Sequence, residues 1–224
     1  MRDEVRRLRD IRGMRYPDDY VIRMFFKEHL DSAPGRVLEL GCGSGNNLRL
    51  FQEFGWTVTG VDVDEKALEN AHHNLSSVGL QLIRSDLSGA LPNITGEFDC
   101  VLLPSVNYYI PRDAFIRLLA WLRPTLAPEA AFYLRSRLVD DWRFAKGAEV
   151  ERNGYRLDCT ETGEHGLLNV FYTVEELNDL LTASVGGLVD VQCLRVRYEN
   201  PQSGVTIANS DVVIWGRLKP GSAS

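Results

Sequence analysis

The run Val37-Leu38-Glu39-Leu40-Gly41-Cys42-Gly43-Ser44-Gly45-Asn46-Asn47 joins a short apolar segment to three alternating glycines and then to residues able to open a helix. An apolar run that stops abruptly in glycines reads as a buried strand followed by a tight turn. Glycine lets the backbone approach a ligand closely, and the helix that follows points its free N–H groups at the ligand's negative end. The turn therefore implies a nucleotide-like ligand. Downstream, Thr57 to Val61 forms a β-branched second strand that stops at Asp62. That carboxylate lies about twenty residues beyond Gly41, where it can accept hydrogen bonds from ribose hydroxyls. Strand, helix and strand make one right-handed crossover unit.

Working outward, Tyr16-Pro17-Asp18-Asp19 predicts a helix entrance, with Pro preorganised for the first turn and the acids complementing the dipole. The helix should run to about Leu30, before the Pro34-Gly35 break. Beyond Asp62, a helix from about Asp64 to Ser77, strands at Leu80 to Ser85 and Asp99 to Leu103, a helix from about Arg112 to Leu122 and a strand at Ala131 to Ser136 continue the alternation. Such a rhythm predicts an α/β fold, a mostly parallel sheet covered on both faces. Between Val139 and Phe171 the chain becomes more polar, and Glu149 to Arg152 and Tyr155 to Cys159 flank Asn153-Gly154, a strong hairpin signal. A β-hairpin lid insertion over about residues 138–172 is expected. Thr173-Val174-Glu175-Glu176 reads as a capping box. Strands near Leu188 to Val196 and Asp211 to Leu218 close the chain. The whole, residues 1–224, is expected to form one domain with an N-terminal helical cap over about 1–33.

The chain has 224 residues, of which 44 % are apolar, enough for a sizeable core without metal or disulfide. Acidic residues outnumber basic ones, 31 to 25, for a net charge of −6, which disfavours extended contact with nucleic acid or anionic lipid. A small-molecule partner is favoured, and self-association into a homodimer is left open. Arg2, Arg6, Arg7, Arg9, Arg12 and Arg15 are interrupted by Asp3, Glu4 and Asp10, the pattern of a solvated, internally paired helix face. Cys42, Cys100, Cys159 and Cys193 form no C-x-x-C pair, and the four histidines make no ligand set, so no metal is expected. No apolar run approaches the ~20 residues of a membrane span and the start lacks an apolar signal core, so a cytoplasmic location is expected.

The glycine-loop run resembles the first motif of the class I S-adenosylmethionine-dependent methyltransferases, here of the bacterial small-molecule type. The resemblance implies a Rossmann-like three-layer sandwich with a seven-stranded sheet whose last strand inserts antiparallel. It implies S-adenosyl-L-methionine as cofactor, with Gly41, Cys42 and Gly43 along its methionine part, Asp62 on the ribose and Val63 flanking the adenine. Asp86, with Leu87 beside it, is implied near the adenine amino group. Glu39, Gly45, Asn47, Tyr16 and Pro104 complete the implied cofactor set. Asn107 and Tyr109, in the segment after the fourth strand, are implied to face the acceptor.

Methyl transfer is an in-line displacement at a sulfonium, so the protein must mainly align and desolvate the nucleophile. A protonated oxygen or nitrogen acceptor would also need a general base, for which His165 and Tyr108 or Tyr109 are the candidates. Asn107 is not followed by Pro-Pro-aromatic, the pattern expected of adenine amino methyltransferases. A nicotinamide-dependent oxidoreductase is the chief competitor, but its fingerprint wants glycine where Asn46 stands. A protein that binds the cofactor without turnover, as a sensor or partner subunit, is the other alternative.

Overall fold

The computed structural model describes residues 12–219. Of the helix face expected on the N-terminal arginines, Arg2, Arg6, Arg7 and Arg9 lie outside them, and Arg12 and Arg15 stand on irregular chain instead of a helix. Seven strands form one sheet in the order β3-β2-β1-β4-β5-β10-β9, and three more form a small sheet, β6-β7-β8. The strands are β1 (Arg36–Leu40), β2 (Thr57–Asp62), β3 (Leu80–Arg84), β4 (Phe98–Pro104), β5 (Leu126–Arg137), β6 (Gly147–Glu151), β7 (Gly154–Leu157), β8 (Leu168–Val170), β9 (Leu188–Gln202) and β10 (Val205–Leu218). In the large sheet β1–β2, β2–β3 and β4–β5 pair in parallel, and β10 runs antiparallel to both its neighbours. This is the Rossmann-like methyltransferase arrangement, with the last strand inserted antiparallel as expected. By packing, the chain falls into two compact units, one ending at Ser85 and one beginning at Asp86.

In the first unit the helices are α1 (Asp19–Lys27), α2 (Asn46–Glu53) and α3 (Glu65–Asn74). The chain enters α1 one step later than the sequence suggests. Asp18 is the N-cap, its carboxylate accepting the Tyr20 N–H at 2.8 Å, so Pro17 precedes the cap and stands outside the first turn. The helix stops at Lys27, short of Leu30, whose carbonyl accepts the Trp56 indole N–H at 2.9 Å. Phe25 packs edge-on against Phe51 and Phe26, and Phe51 against Trp56, so α1 is held by its apolar face. The parallel strands β1 and β2 are buried along most of their length, which is why they read as near-continuous apolar runs.

The second unit contains α4 (Arg112–Leu122) and α5 (Val174–Val185). The predicted capping box opens α5: Thr173 Oγ1 accepts the Glu176 N–H and Glu176 accepts the Thr173 N–H. The insertion holds three strands where a hairpin was expected. Its own core is Tyr155, Leu157, Cys159 and Phe171, with Val139, Trp142 and Phe144 against it. Gly154 opens β7 and lies outside the turn, since Glu151 pairs with Gly154 and leaves Arg152-Asn153 as the loop. A Cβ on Gly154 would meet Glu151 Cγ at 2.3 Å, because Glu151 folds back over it. The same carboxylate accepts the Arg112 N–H through both oxygens at 3.2 Å and so caps α4, whose N-cap Pro111 has no capping side chain. The hairpin of β9 and β10 is longer than predicted and turns at Ser203-Gly204, both with positive φ. β9 is the outer strand and carries Asp190, Arg195, Arg197, Glu199 and Pro201. Its register with β10 shifts across Gly216, where a Cβ would meet the Val189 carbonyl at 2.6 Å.

Candidate functional site

In the first unit the glycine loop hangs from β2: the Gly41 and Cys42 N–H groups both donate to the Val61 carbonyl, at 2.8 and 3.0 Å. Gly41, Gly43 and Gly45 all have positive φ, +74°, +52° and +78°, a backbone that L side chains rarely adopt. The surroundings differ. A Cβ on Gly45 would strike Leu75 at 2.7 Å, whereas one on Gly43 would meet nothing within 4 Å. Gly45 thus serves packing, and Gly43 leaves an open backbone surface. The Gly43 N–H donates to Asp62 Oδ2 at 2.8 Å, and Asp62 Oδ1 accepts the Asp64 N–H at 2.9 Å. Each oxygen keeps acceptor capacity, so one carboxylate can fix the loop and still receive hydroxyl donors. Val63, next to it, is 58 % exposed, an apolar face at the strand end.

Beneath the loop a polar relay runs inward. Asn47 Nδ2 donates to Glu39 Oε1 at 2.7 Å, while Asn47 Oδ1 accepts the Asp18 N–H at 2.9 Å. Burial, reinforced by Asp62, pushes the Glu39 carboxyl up to about 8, against the opposing hydrogen bond from Asn47. Its Oε2 is buried and has no partner. Cys42 is also buried, and its thiol is pushed upward by that burial. Residues 12–16 are irregular chain strapped across the loop: Ser44 Oγ donates to the Met14 carbonyl at 2.6 Å, Asn46 Nδ2 to that of Tyr16 at 3.3 Å and Asn74 Nδ2 to that of Arg12 at 2.8 Å. Tyr16 itself is 84 % exposed.

In the second unit, Asp86 is held below the usual carboxylate range by the Ser88 hydroxyl and N–H, and Leu87 is buried. Pro104 ends β4, and Ser105 follows with φ +65°, an uncommon conformation for a residue with a side chain. Asn107, Tyr108 and Tyr109 then form one short 3-10 turn. Asn107 is fully buried and donates to Ser136 Oγ at 2.8 Å. Tyr108 lies under the Arg137 guanidinium, 4.3 Å from the ring centre. Tyr109 is 40 % exposed and its hydroxyl donates to Glu164 at 2.7 Å. Glu164 also receives Arg137 at 3.0 Å and Arg143 Nε. Arg143 in turn meets Asp141 at 3.0 Å, and Asp141 accepts the Ser210 N–H at 3.0 Å.

A family described as methyltransferase domain matches residues 6–184, a stretch that includes the glycine loop, Asp62 and Glu164. The chain belongs to the class I S-adenosylmethionine-dependent methyltransferases. Among curated relatives, the methyltransferase domain is similar to ribosomal protein L11 methyltransferase of Caldanaerobacter subterraneus, at 32 % identity over 117 residues, 52 % of this chain and 36 % of that one. It is also similar to ubiquinone biosynthesis O-methyltransferase of Thiobacillus denitrificans, 35 % identical over 86 residues, 36 % of each chain. The matched stretches span 36–39 % of the length of the curated relatives. Among solved structures, the fold is similar to that of Burkholderia thailandensis 1,6-didemethyltoxoflavin-N1-methyltransferase with bound 1,6-didemethyltoxoflavin and S-adenosylhomocysteine, with TM-score 0.58, 20 % identity and coverage of 89 % of this chain and 76 % of that one.

The methyltransferase's cofactor is S-adenosylmethionine, and the first unit fits it: the backbone at Gly43 is open, and Glu39 Oε2 is a buried polar atom lacking a partner. The structure brings Gly41, Cys42, Gly43 and Asp62 together as a loop and its carboxylate. Asn47 stands behind them, its amide engaged by Glu39 and Asp18. Of the expected bases, Tyr108 is buried and Tyr109 partly so, and burial pushes both hydroxyls above the usual tyrosine range. His165 is exposed and pairs with Asp158 at 3.4 Å, whereas its neighbour Glu164 takes the inward position. Sequence reasoning missed Glu164, Arg137 and Arg143. Arg137, a cation closing an apolar strand, was the available signal, because a charge placed there needs a buried partner. Among the described residues, no group of His, Cys, Asp and Glu could hold a metal, and no helix is long and apolar enough to cross a membrane.

Proposed function

We propose that this chain transfers a methyl group from S-adenosylmethionine to a small-molecule oxygen or nitrogen acceptor. The observation that carries the reading is the open, left-handed Gly43 backbone tied at 2.8 Å to Asp62. Gly41, Cys42 and Gly43 would flank the methionine part, Asp62 the ribose, and Val63 the adenine. Bound there, the cofactor supplies an electrophilic methyl on a sulfonium.

The protein's own contribution is alignment and exclusion of water. Burial pushes the Tyr108 and Tyr109 hydroxyls upward, so neither is ready to give up its proton. Burial also draws Glu164 upward, but Arg137, the Tyr109 hydrogen bond and Arg143 outweigh it and hold the carboxylate ionised and engaged. Such a carboxylate orients Tyr109 and is a poor base. The favoured acceptor therefore presents its own lone pair at neutral pH, and Tyr109, half-exposed on the segment after β4, helps to seat it. The ubiquinone-pathway and toxoflavin enzymes support a small acceptor by their named activities.

The test is turnover of methyl-labelled cofactor with purified protein and a small-metabolite extract. Label should appear in a low-mass product, and His165→Ala should leave both rate and pH profile unchanged. Label in no product while S-adenosylhomocysteine still binds would favour the non-catalytic alternative.

A further inference from the structure

The Glu39–Asn47–Asp18 relay specifies the position of a proton. The Asp18 N–H can only donate, and it points at Asn47 at 2.9 Å, so the amide oxygen must face α1 and the amide nitrogen must face Glu39. Glu39 Oε1 is consequently an acceptor, and any proton on this carboxyl belongs to Oε2. That atom is buried and unpartnered. The titratable groups pressing on it are Asp62 from the end of β2 and Asp18 from the cap of α1, both acids, and the carboxyl in turn presses on the buried Cys42 thiol of the loop. The Asn47 amide and the Leu48 backbone N–H act in the opposite direction, and burial outweighs them, so the free carboxyl holds its proton at neutrality.

We propose that Asn47 is a positioning residue that leaves Glu39 Oε2 as the single proton-carrying atom of this carboxyl, so that cofactor binding at the glycine loop expels that proton. The inference rests on the methyltransferase reading. The α-ammonium of the cofactor's methionine part favours the ionised carboxylate, as any close cation does. One neutral carboxyl becomes one carboxylate paired with the ammonium, and the proton passes to the buffer. The relay therefore converts a buried acid into a counter-charge that exists only when a ligand is present.

Calorimetric titration of the full chain with S-adenosylhomocysteine, in phosphate and in Tris at the same near-neutral pH, measures this directly. The apparent enthalpies should differ by the difference in buffer ionisation enthalpy times close to one proton released, and the difference should shrink as pH rises past about 8. Glu39→Gln should bind with no buffer dependence. Asn47→Asp keeps an acceptor for the Asp18 N–H but removes the donor to Glu39, so its proton release should persist to higher pH. A purely structural Asn47 would change affinity without moving that profile. Equal enthalpies in the two buffers for the unaltered chain would overturn the proposal, and the pH series on that chain decides the matter even if a variant fails to fold. Absence of saturable binding in either buffer would remove the cofactor reading itself, and the proton release with it.

Discussion

Gly43 and Gly45 share a left-handed backbone, yet the structure gives them different work. Gly45→Ala would place a methyl 2.7 Å from Leu75 and strain the cap of α2, so it should destabilise the fold by about 1–3 kcal/mol in denaturant unfolding. Gly43→Ala has room and carries only the smaller cost of its φ; its main effect should be loss of S-adenosylhomocysteine binding, because the new methyl occupies the open face. Equal losses of stability in the two variants would contradict this division. Asp62→Ala removes the loop tie and, on the proposed reading, the ribose acceptor, and cofactor affinity should fall by about 1–3 kcal/mol, roughly fivefold to a hundredfold. Calorimetry that returns the unaltered affinity would take Asp62 out of the ribose role.

At the level of elements, Glu151 links the insertion to α4 by supplying the cap that Pro111 cannot. Glu151→Ala should cost about 0.5–2 kcal/mol, seen as faster amide exchange in β6, β7 and the first turn of α4 with little change elsewhere. The elements most legible in the sequence were those whose burial imposes a period or whose ends carry caps. β1, buried and stopped by glycines, and α5, opened by Thr173 and Glu176, follow the sequence expectation closely. β8 escaped notice because three residues cannot show a period. The outer half of the β9–β10 hairpin was unread for another reason: beyond Asp211 it has no pairing with β5, so little apolar side chain is needed and Arg197 to Gln202 reads as loop. The glycine loop was legible because glycine spacing is a backbone requirement written locally. The Glu164 network was not, since it joins residues far apart in the chain whose pairing only the fold specifies.

For the whole molecule, two buried carboxyls give stability a pH dependence of opposite signs. Glu39 moves from 4.5 to about 8 on folding, so between these values the folded chain holds a proton that the unfolded chain releases. Its contribution therefore falls as pH rises towards 8 and levels off beyond. Glu164 is held below its usual range, so its contribution is present above the unfolded value and is lost as pH falls through the folded one. The melting temperature should decline from mildly acidic to mildly alkaline pH, and Glu39→Gln should flatten that decline. A variant that keeps the full slope would assign it to another group. The outer strand bears on what happens between molecules. β9 offers its unpaired backbone to solvent, which invites further strands to add without limit, but Pro201 has no N–H to give, Arg195, Arg197 and Glu199 make a dry stack expensive, and the shifted register at Gly216 twists the ribbon out of line. The sheet is thus protected against fibrous growth along this margin, and replacing those charges with threonine would be a short route to an aggregating protein.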